Sequence, residues 1–399
     1  MPQALSRIRV LDLSRSVAGA YCAKLLADYG AGVVRVEDPR VSDSIRGGPP
    51  FLSNENTVET SSYHLYLNTN KKSITLDLAS DEGKNILVKL AGKMDIVLHT
   101  FTPGTKHTLG MLDVFAHCRN DSILVEITNF GQTGPYRNRN ATELELLALS
   151  GLLHIAGDRE KPVKMGGFQA QYIAGLKAFT ATCAALFKRA RTGEGQHIDI
   201  AVLENILDLF FMQSGIFYTY LGIISKRKFF TRFVTGHPIG LYRCKDGYVV
   251  VIAGLGGMPN LAIMLGDPEL EHHPWFKSAW ARQEHAAEFD ETFLKPWLKD
   301  HGRDEIVGLA QELRMPFGSL MSPRELLSDT HLAARKFFTS VTHPAAGNVV
   351  FPGAPFKSGR TDWRPGRAPT LGEHNSEVYG TELGYSREDL TALVERGVI

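Results

Sequence analysis

The stretch Ile8–Glu37, IRVLDLSRSVAGAYCAKLLADYGAGVVRVE, decides the fold. Ile8 to Leu13 is a short apolar run that predicts a strand. Ala18 to Tyr29 predicts a helix, and Gly30 suits the turn that ends it. Gly32 to Glu37, with its valines, predicts the next strand. Strand, helix and strand within about 30 residues form the unit of a parallel sheet.

The pattern continues outward. Ile74 to Leu78 predicts a strand, Asp81 to Ala91 a helix, and Asp95 to His99 a strand, with Ile123 to Ile127 another. This alternation predicts a doubly wound α/β fold. Residues 143–155 predict a helix, as do residues 170–189, followed closely by Gly193. Gln196 to Ile200 predicts a strand that leads into an apolar helix. The basic run Ser225-Lys226-Arg227-Lys228 reads as a solvated connection. Ile239 to Ile252 predicts a hairpin turning at Lys245-Asp246-Gly247. Ser386 to Asp389 resembles a capping box opening a last helix. The expected division is a large domain from residues 1–225 and 326–399, with a smaller inserted domain at 226–325.

The chain has 399 residues, 43% of them hydrophobic, and a formal net charge of +1. That length suffices for two cores. The charge gives no electrostatic case for nucleic acid or an anionic membrane as partner. Cys22, Cys118, Cys183 and Cys244 show no metal-ligand spacing and read as reduced thiols. The first residues contain no apolar signal core, and no uncharged run approaches a membrane span. A cytoplasmic protein is expected.

Several chemistries are excluded by their motifs. Ser16-Val17-Ala18-Gly19-Ala20 offers one glycine where a dinucleotide fingerprint needs three. No Gly-x-Ser-x-Gly elbow is present. His272-His273 has no partners at metal-ligand spacing. A helix starting near residue 18 would still aim free N–H groups at a ligand above the sheet. The lysines of Asn68-Thr69-Asn70-Lys71-Lys72 suit a phosphate-bearing ligand, although a polar loop before a strand explains them equally well.

The motifs taken in order resemble the class III CoA-transferases, the CaiB/BaiF family. The resemblance is carried by the opening stretch and by Asn68 to Asp77, Phe101-Thr102-Pro103-Gly104-Thr105, and Phe130-Gly131-Gln132-Thr133-Gly134-Pro135-Tyr136. Arg191 to Asp199 and Ala368 to His374 add to it. It implies a Rossmann-like large domain with a parallel sheet plus a small inserted domain, and two chains interlocked in a dimer. It implies binding of a CoA thioester as substrate, exchange of CoA between carboxylic acids, and no metal or other cofactor. The CoA ester is expected against Val17, Ala18, Asn70, Lys71, Thr100, Phe101, Thr128, Phe130 and Gly131.

The departures from the family pattern matter as much. The family nucleophile is an aspartate four residues before a glycine that maps to Gly175, so its position holds Gln171. A neutral carboxamide cannot attack a thioester as a carboxylate does, and no catalytic residue is expected in this chain. Val17 replaces a frequent glutamine, and Gly19-Ala20 replaces Gly-Pro. His99-Thr100-Phe101 replaces Glu-Asn-Phe. Asp38 and Thr108 replace arginines, each such contact being worth about 1 to 3 kcal/mol where it is made.

The expected role is therefore the aspartate-lacking subunit of a heteromeric member such as succinyl-CoA:benzylsuccinate CoA-transferase, with a homologous aspartate-containing subunit as partner. A self-sufficient transferase would need another carboxylate. Glu143, Glu145 and Asp158 are candidates, the glutamates expected to face solvent and Asp158 expected in a surface turn. An acyl-CoA racemase lacks support, because its histidine position falls on Thr142. A non-enzymatic CoA-ester binder is the remaining alternative. Phe210, Phe211, Met212, Phe217, Tyr218 and Tyr220 read as core, so the acid is not named. An aromatic or branched dicarboxylic acid is carried only by analogy.

Overall fold

A computed structural model describes residues 3–40, 43–52, 57–157, 160–224, 237–254, 257–359, 363 and 366–399. The side chains of residues 210–214, 217 and 276 are also outside the description. The run at 225–228, Asp158, and the side chains of Phe210, Phe211, Met212 and Phe217 therefore lie outside the described residues.

The chain divides into two compact units. The larger comprises residues 1–150, 165–212 and 333–399, and the smaller residues 151–164 and 213–332. The smaller unit thus starts earlier than the expected boundary at 226 and takes in a short segment after Ser150.

The larger unit is built on six parallel strands in the order β3-β2-β1-β4-β5-β6. These are β1 (Arg9–Leu13), β2 (Gly32–Glu37), β3 (Lys72–Thr75), β4 (Ile96–His99), β5 (Ile123–Thr128) and β6 (Gln196–Ala201). The central strands are near-continuous apolar runs, as parallel strands covered on both faces require. Val10, Leu11, Val33, Ile96 and Val97 are almost fully buried. β3 starts two residues earlier than expected. It pairs with β2 from Lys72 to Thr75, after which Asp77 turns the chain toward the next helix.

The first helices of this unit are α1 (Val17–Asp28), α2 (Ser62–Leu67), α3 (Asp81–Ala91), α4 (Pro103–Thr108), α5 (Met111–Ala116) and α6 (Glu143–Leu149). The helix expected over 143–155 is interrupted, because Gly151 takes a left-handed φ of 78°. Its continuation, α7 (Leu152–Ile155), falls in the smaller unit. α8 (Gln169–Thr192) follows in the larger unit, and α9 (Val202–Leu221) runs through the boundary. The C-terminal segment closes the β3 edge. His374 N donates to Ser73 O, Asp77 N to Val398 O, and Tyr379 Oη to Thr75 O at 2.6 Å. Both ends of the chain thus build one unit.

The smaller unit contains the antiparallel hairpin β7 (Ile239–Cys244) and β8 (Gly247–Ile252), with β9 (Gly318–Ser319) beside β8. Its core includes Val249, Val251, Leu261, Phe289 and Leu298. Tyr218 and Tyr220 of α9 are exposed in the single chain rather than core residues. No helix among the described residues is long and apolar enough to cross a membrane.

Candidate functional site

The order β3-β2-β1-β4-β5-β6 reverses direction between β1 and β4. In open α/β sheets the ligand crevice lies beyond the carboxyl ends of the strands at such a switch point. Here that place is formed by Ser14 to Ala18 after β1 and by Thr100-Phe101 after β4.

Ser16 caps α1. Its Oγ accepts from Gly19 N at 3.4 Å, which satisfies one of the free donors of the first turn. Gln171, in the first turn of α8, is 9% exposed, and its Oε1 accepts from Ala18 N at 3.3 Å. Its Nε2 has no hydrogen-bond partner among the described residues. α1 and α8 approach closely because Gly175 has no side chain. A Cβ there would lie 2.5 Å from Ala18 O. Gly19 does the same for the loop, since a Cβ would lie 2.3 Å from Ser14 Cβ and 2.8 Å from Thr100 Cγ2. Two glycines thus bring Gln171, Ala18 and Thr100 around one point.

Thr100 Oγ1 accepts from Arg15 N at 2.9 Å, and the Arg15 guanidinium lies 5.8 Å from the center of the buried Phe101 ring. Arg15 is exposed and has no ion pair among the described residues. With Asp38, Asp43, Ser44 and Arg46 it lines a depression of about 190 Å³ beyond the carboxyl end of β2. Sequence reasoning missed Arg15, although a basic residue just before a helix cap was a usable signal.

Thr128 is buried at the end of β5, and its hydroxyl has no partner among the described residues. Phe130 meets Tyr136 edge-on at 5.6 Å. Gly131 takes a φ of 81° beside Asp199, whose Oδ2 accepts from Gln132 N at 2.9 Å. Phe130, Gly131, Gly134, Tyr136 and Leu203 line a second depression of about 260 Å³.

Asn70 and Lys71 are placed differently from the other seven. They precede β3 and so enter the sheet at its amino end. Lys71 is buried, and its Nζ donates to Asp12 Oδ2 at 2.9 Å, Ala20 O at 3.0 Å and Asn68 Oδ1 at 3.0 Å. All three donors of the ammonium are used, so this side chain has none left for a phosphate. Burial pulls its pKa down to about 8, against the opposing pull of Asp12. Asn70 Nδ2 donates to Asp28 Oδ1 at 2.7 Å. Both residues act in the scaffold beneath α1.

That scaffold is ionic. Arg46 holds Glu37 through two bonds of 2.7 and 2.9 Å, and Ser73 Oγ donates to the same carboxylate at 2.6 Å. Burial alone would raise the Glu37 pKa. Arg35, Arg46 and Ser73 outweigh it and hold the group at about 2. Asp12 is held below the usual carboxylate range, with Lys71 and Arg35 overcoming burial.

Glu143 departs from its expected solvent-facing position. It is buried, and its Oε1 accepts from Ala170 N at 2.7 Å. Thr142 and Glu145 form the capping box of α6, which leaves Glu143 to turn inward onto the start of α8. Glu145 is exposed, as expected.

Glu59, His64 and His343 offer ligand atoms within 4.8 Å of one another. Their hydrogen bonds oppose metal ligation. Asn68 Oδ1 takes Lys71, so its Nδ2 donates to His64 Nδ1, and His64 Nε2–H donates to Pro369 O at 3.1 Å. His343 Nδ1 accepts from Ala345 N at 3.2 Å, which puts the proton on Nε2. The Glu59 oxygens take Arg46 at 3.0 Å and Leu371 N at 3.0 Å. His272, one of the two histidines considered from sequence, is exposed beside Glu271.

The fold defines an α/β protein whose parallel sheet reverses its strand order between β1 and β4. The chain belongs to CoA-transferase family III, whose model matches residues 5–375. It is 33% identical to the succinyl-CoA--D-citramalate CoA-transferase of Chloroflexus aurantiacus, over 100% of this chain and 98% of that protein. It is 29% identical to the succinyl-CoA:(R)-benzylsuccinate CoA-transferase subunit BbsE of Thauera aromatica, over 100% and 99%. Among solved structures, a CaiB/BaiF family protein from Brucella suis is similar with a TM-score of 0.85 and 27% identity, covering 96% of this chain and 100% of the other.

Proposed function

We propose that this chain is the nucleophile-lacking subunit of a heteromeric class III CoA-transferase, which exchanges CoA between a donor such as succinyl-CoA and a carboxylic acid. Its partner is a homologous chain carrying aspartate at the equivalent of Gln171, in an interlocked dimer, and it functions in the cytoplasm. The observation that carries the reading is the hydrogen bond from Ala18 N to Gln171 Oε1. The amide is accommodated at the helix terminus where an anionic oxygen would be favored. It keeps the packing of that place and supplies no attacking group. The similarity to BbsE, itself named as a subunit, supports a heteromer.

The test is expression of the chain alone and together with an aspartate-containing homologue from the same host. CoA exchange from succinyl-CoA is expected only for the pair. Exchange by the purified single chain, or failure of the two chains to associate, overturns the reading.

A second reading is favored by the buried position of Glu143 against the backbone of Ala170, the residue before Gln171 in the chain. In it, a homodimer uses the Glu143 carboxylate as nucleophile. Incubation of the single chain with succinyl-CoA, followed by hydroxylamine and mass spectrometry, separates the two. A hydroxamate at Glu143 supports the second reading, and unmodified Glu143 removes it.

A further inference from the structure

We infer that Glu126 is a positioning residue for the CoA-ester loop, acting through the ring of His99 on the backbone of Phe101. The inference rests on the functional reading above, together with the expected place of Thr100 and Phe101 against the CoA ester.

His99 and Glu126 stand opposite each other in the parallel ladder of β4 and β5, and both are almost fully buried. His99 Nδ1 accepts from Phe101 N at 3.2 Å. A neutral imidazole that accepts at one nitrogen carries its proton on the other. That nitrogen, Nε2, lies 3.0 Å from Glu126 Oε1. The ring is further clamped between aromatics, stacked on Phe115 at 4.6 Å and on Phe101 at 5.3 Å. The Glu126 charge therefore favors the proton on Nε2, and that tautomer leaves Nδ1 as the acceptor that holds the Phe101 amide. Gln132 Nε2 completes the anchor by donating to Phe101 O at 3.1 Å.

The other groups around Glu126 keep it charged. Lys106 Nζ, from α4, lies 2.6 Å from Oε1, and the half-exposed His197, from β6, pairs with Oε2. Burial alone would raise the pKa of Glu126, but the adjoining His99 and Lys106 hold it at about 2. Burial holds His99 below its ordinary value and therefore neutral at pH 7. The arrangement also accounts for one departure from the family pattern. The acid of Glu-Asn-Phe is absent from position 99, and an acid instead reaches that ring from the neighboring strand.

The test uses the full chain, together with its partner subunit where one copurifies. Long-range proton–nitrogen spectra of the wild type are expected to place the His99 proton on Nε2. An Nδ1 proton overturns the inference without any variant. Glu126→Gln removes the charge and lets the amide donate to the ring instead. It is expected to move the His99 and Phe101 resonances and to weaken coenzyme A binding, measured by calorimetry, about tenfold. His99→Phe keeps the stacking and removes the acceptor, and the same loss is expected. The double variant is expected to lose no more than either single one, because the two residues act in series. Unchanged affinity, unchanged resonances in Glu126→Gln, or additive losses each overturn the inference. If the wild type binds no coenzyme A, the expected CoA placement of the loop fails while exchange by the pair still decides the functional reading, and the tautomer and Phe101 resonances still decide the coupling.

Discussion

Gln171 Oε1 stands 3.3 Å from the backbone nitrogen of Ala18, joining the first turn of α8 to the first turn of α1. Gly175, one turn further along α8, lets the same two helices touch, since a Cβ there would lie 2.5 Å from Ala18 O. The amide is thus a seated part of a helix junction, and the junction persists without the acid.

Gln171→Asp tests whether the nucleophile alone is missing. Val17, Thr100 and Asp38 also depart from the family pattern, so the variant alone is expected to reach no more than about a hundredth of the heteromer's exchange rate. Robust turnover from succinyl-CoA by this single variant contradicts a broadly altered site.

Gly175→Ala tests the helix junction. The added methyl meets Ala18 O and Tyr21 Cβ, and overpacking of this kind costs about 1 to 3 kcal/mol. The thermal midpoint is expected to fall by several degrees; an unchanged midpoint means that the helices separate freely.

Lys71→Met tests the scaffold role assigned to a residue that the sequence suggested for phosphate binding. Removing one partner of a buried ion pair leaves Asp12 with Arg35 at 3.5 Å in place of the closer ammonium and costs about 3 kcal/mol. Lys72→Met breaks only partly exposed pairs with Glu377 and Glu382 and is expected to cost under about 1 kcal/mol. Equal urea midpoints for the two variants contradict the assignment.

Arg15→Ala tests the exposed cation beside Phe101. A loss of coenzyme A affinity by about tenfold with an unchanged thermal midpoint is expected, as for a charge-assisted contact made only to ligand. A change in stability without a change in affinity assigns Arg15 to structure instead.

Acid stability follows from Glu37 and Glu126. Both are held at about 2 in the folded chain, below the ordinary carboxylate value of 4.5. The folded state therefore binds these protons less readily than the unfolded one. Their stabilization is complete above about pH 4.5 and is lost as pH falls toward 2. Thermal midpoints measured through that window are expected to decline. In Glu37→Gln the decline is shallower; a slope identical to that of the wild type rules Glu37 out as a source.

Much of the larger unit was legible along the chain. β2 and α3 fall at the expected residues, because valine runs, a serine cap and flanking glycine are local signals. The apolar pattern over 143–155 does not itself mark the break at Gly151, since whether a glycine inside such a pattern takes a left-handed φ depends on its surroundings. The fate of Glu143 was misread for a related reason. Its neighbors Thr142 and Glu145 announce a helix start, but nothing local says that α8 begins beside it.

The sequence by itself determined the strand–helix alternation, the family, and the amide at position 171, because periodicity and residue identity are properties of the chain. Only the tertiary structure decided which polar groups are consumed. Lys71 and Lys72 are adjacent and chemically equal, yet one is enclosed by Asp12, Ala20 and Asn68 while the other meets acids near the surface. Glu126, an acid in an apolar strand, was visible, but its partners come from residues 99, 106 and 197. Charge burial is settled by distances between segments far apart in sequence, and those distances exist only once the chain has folded.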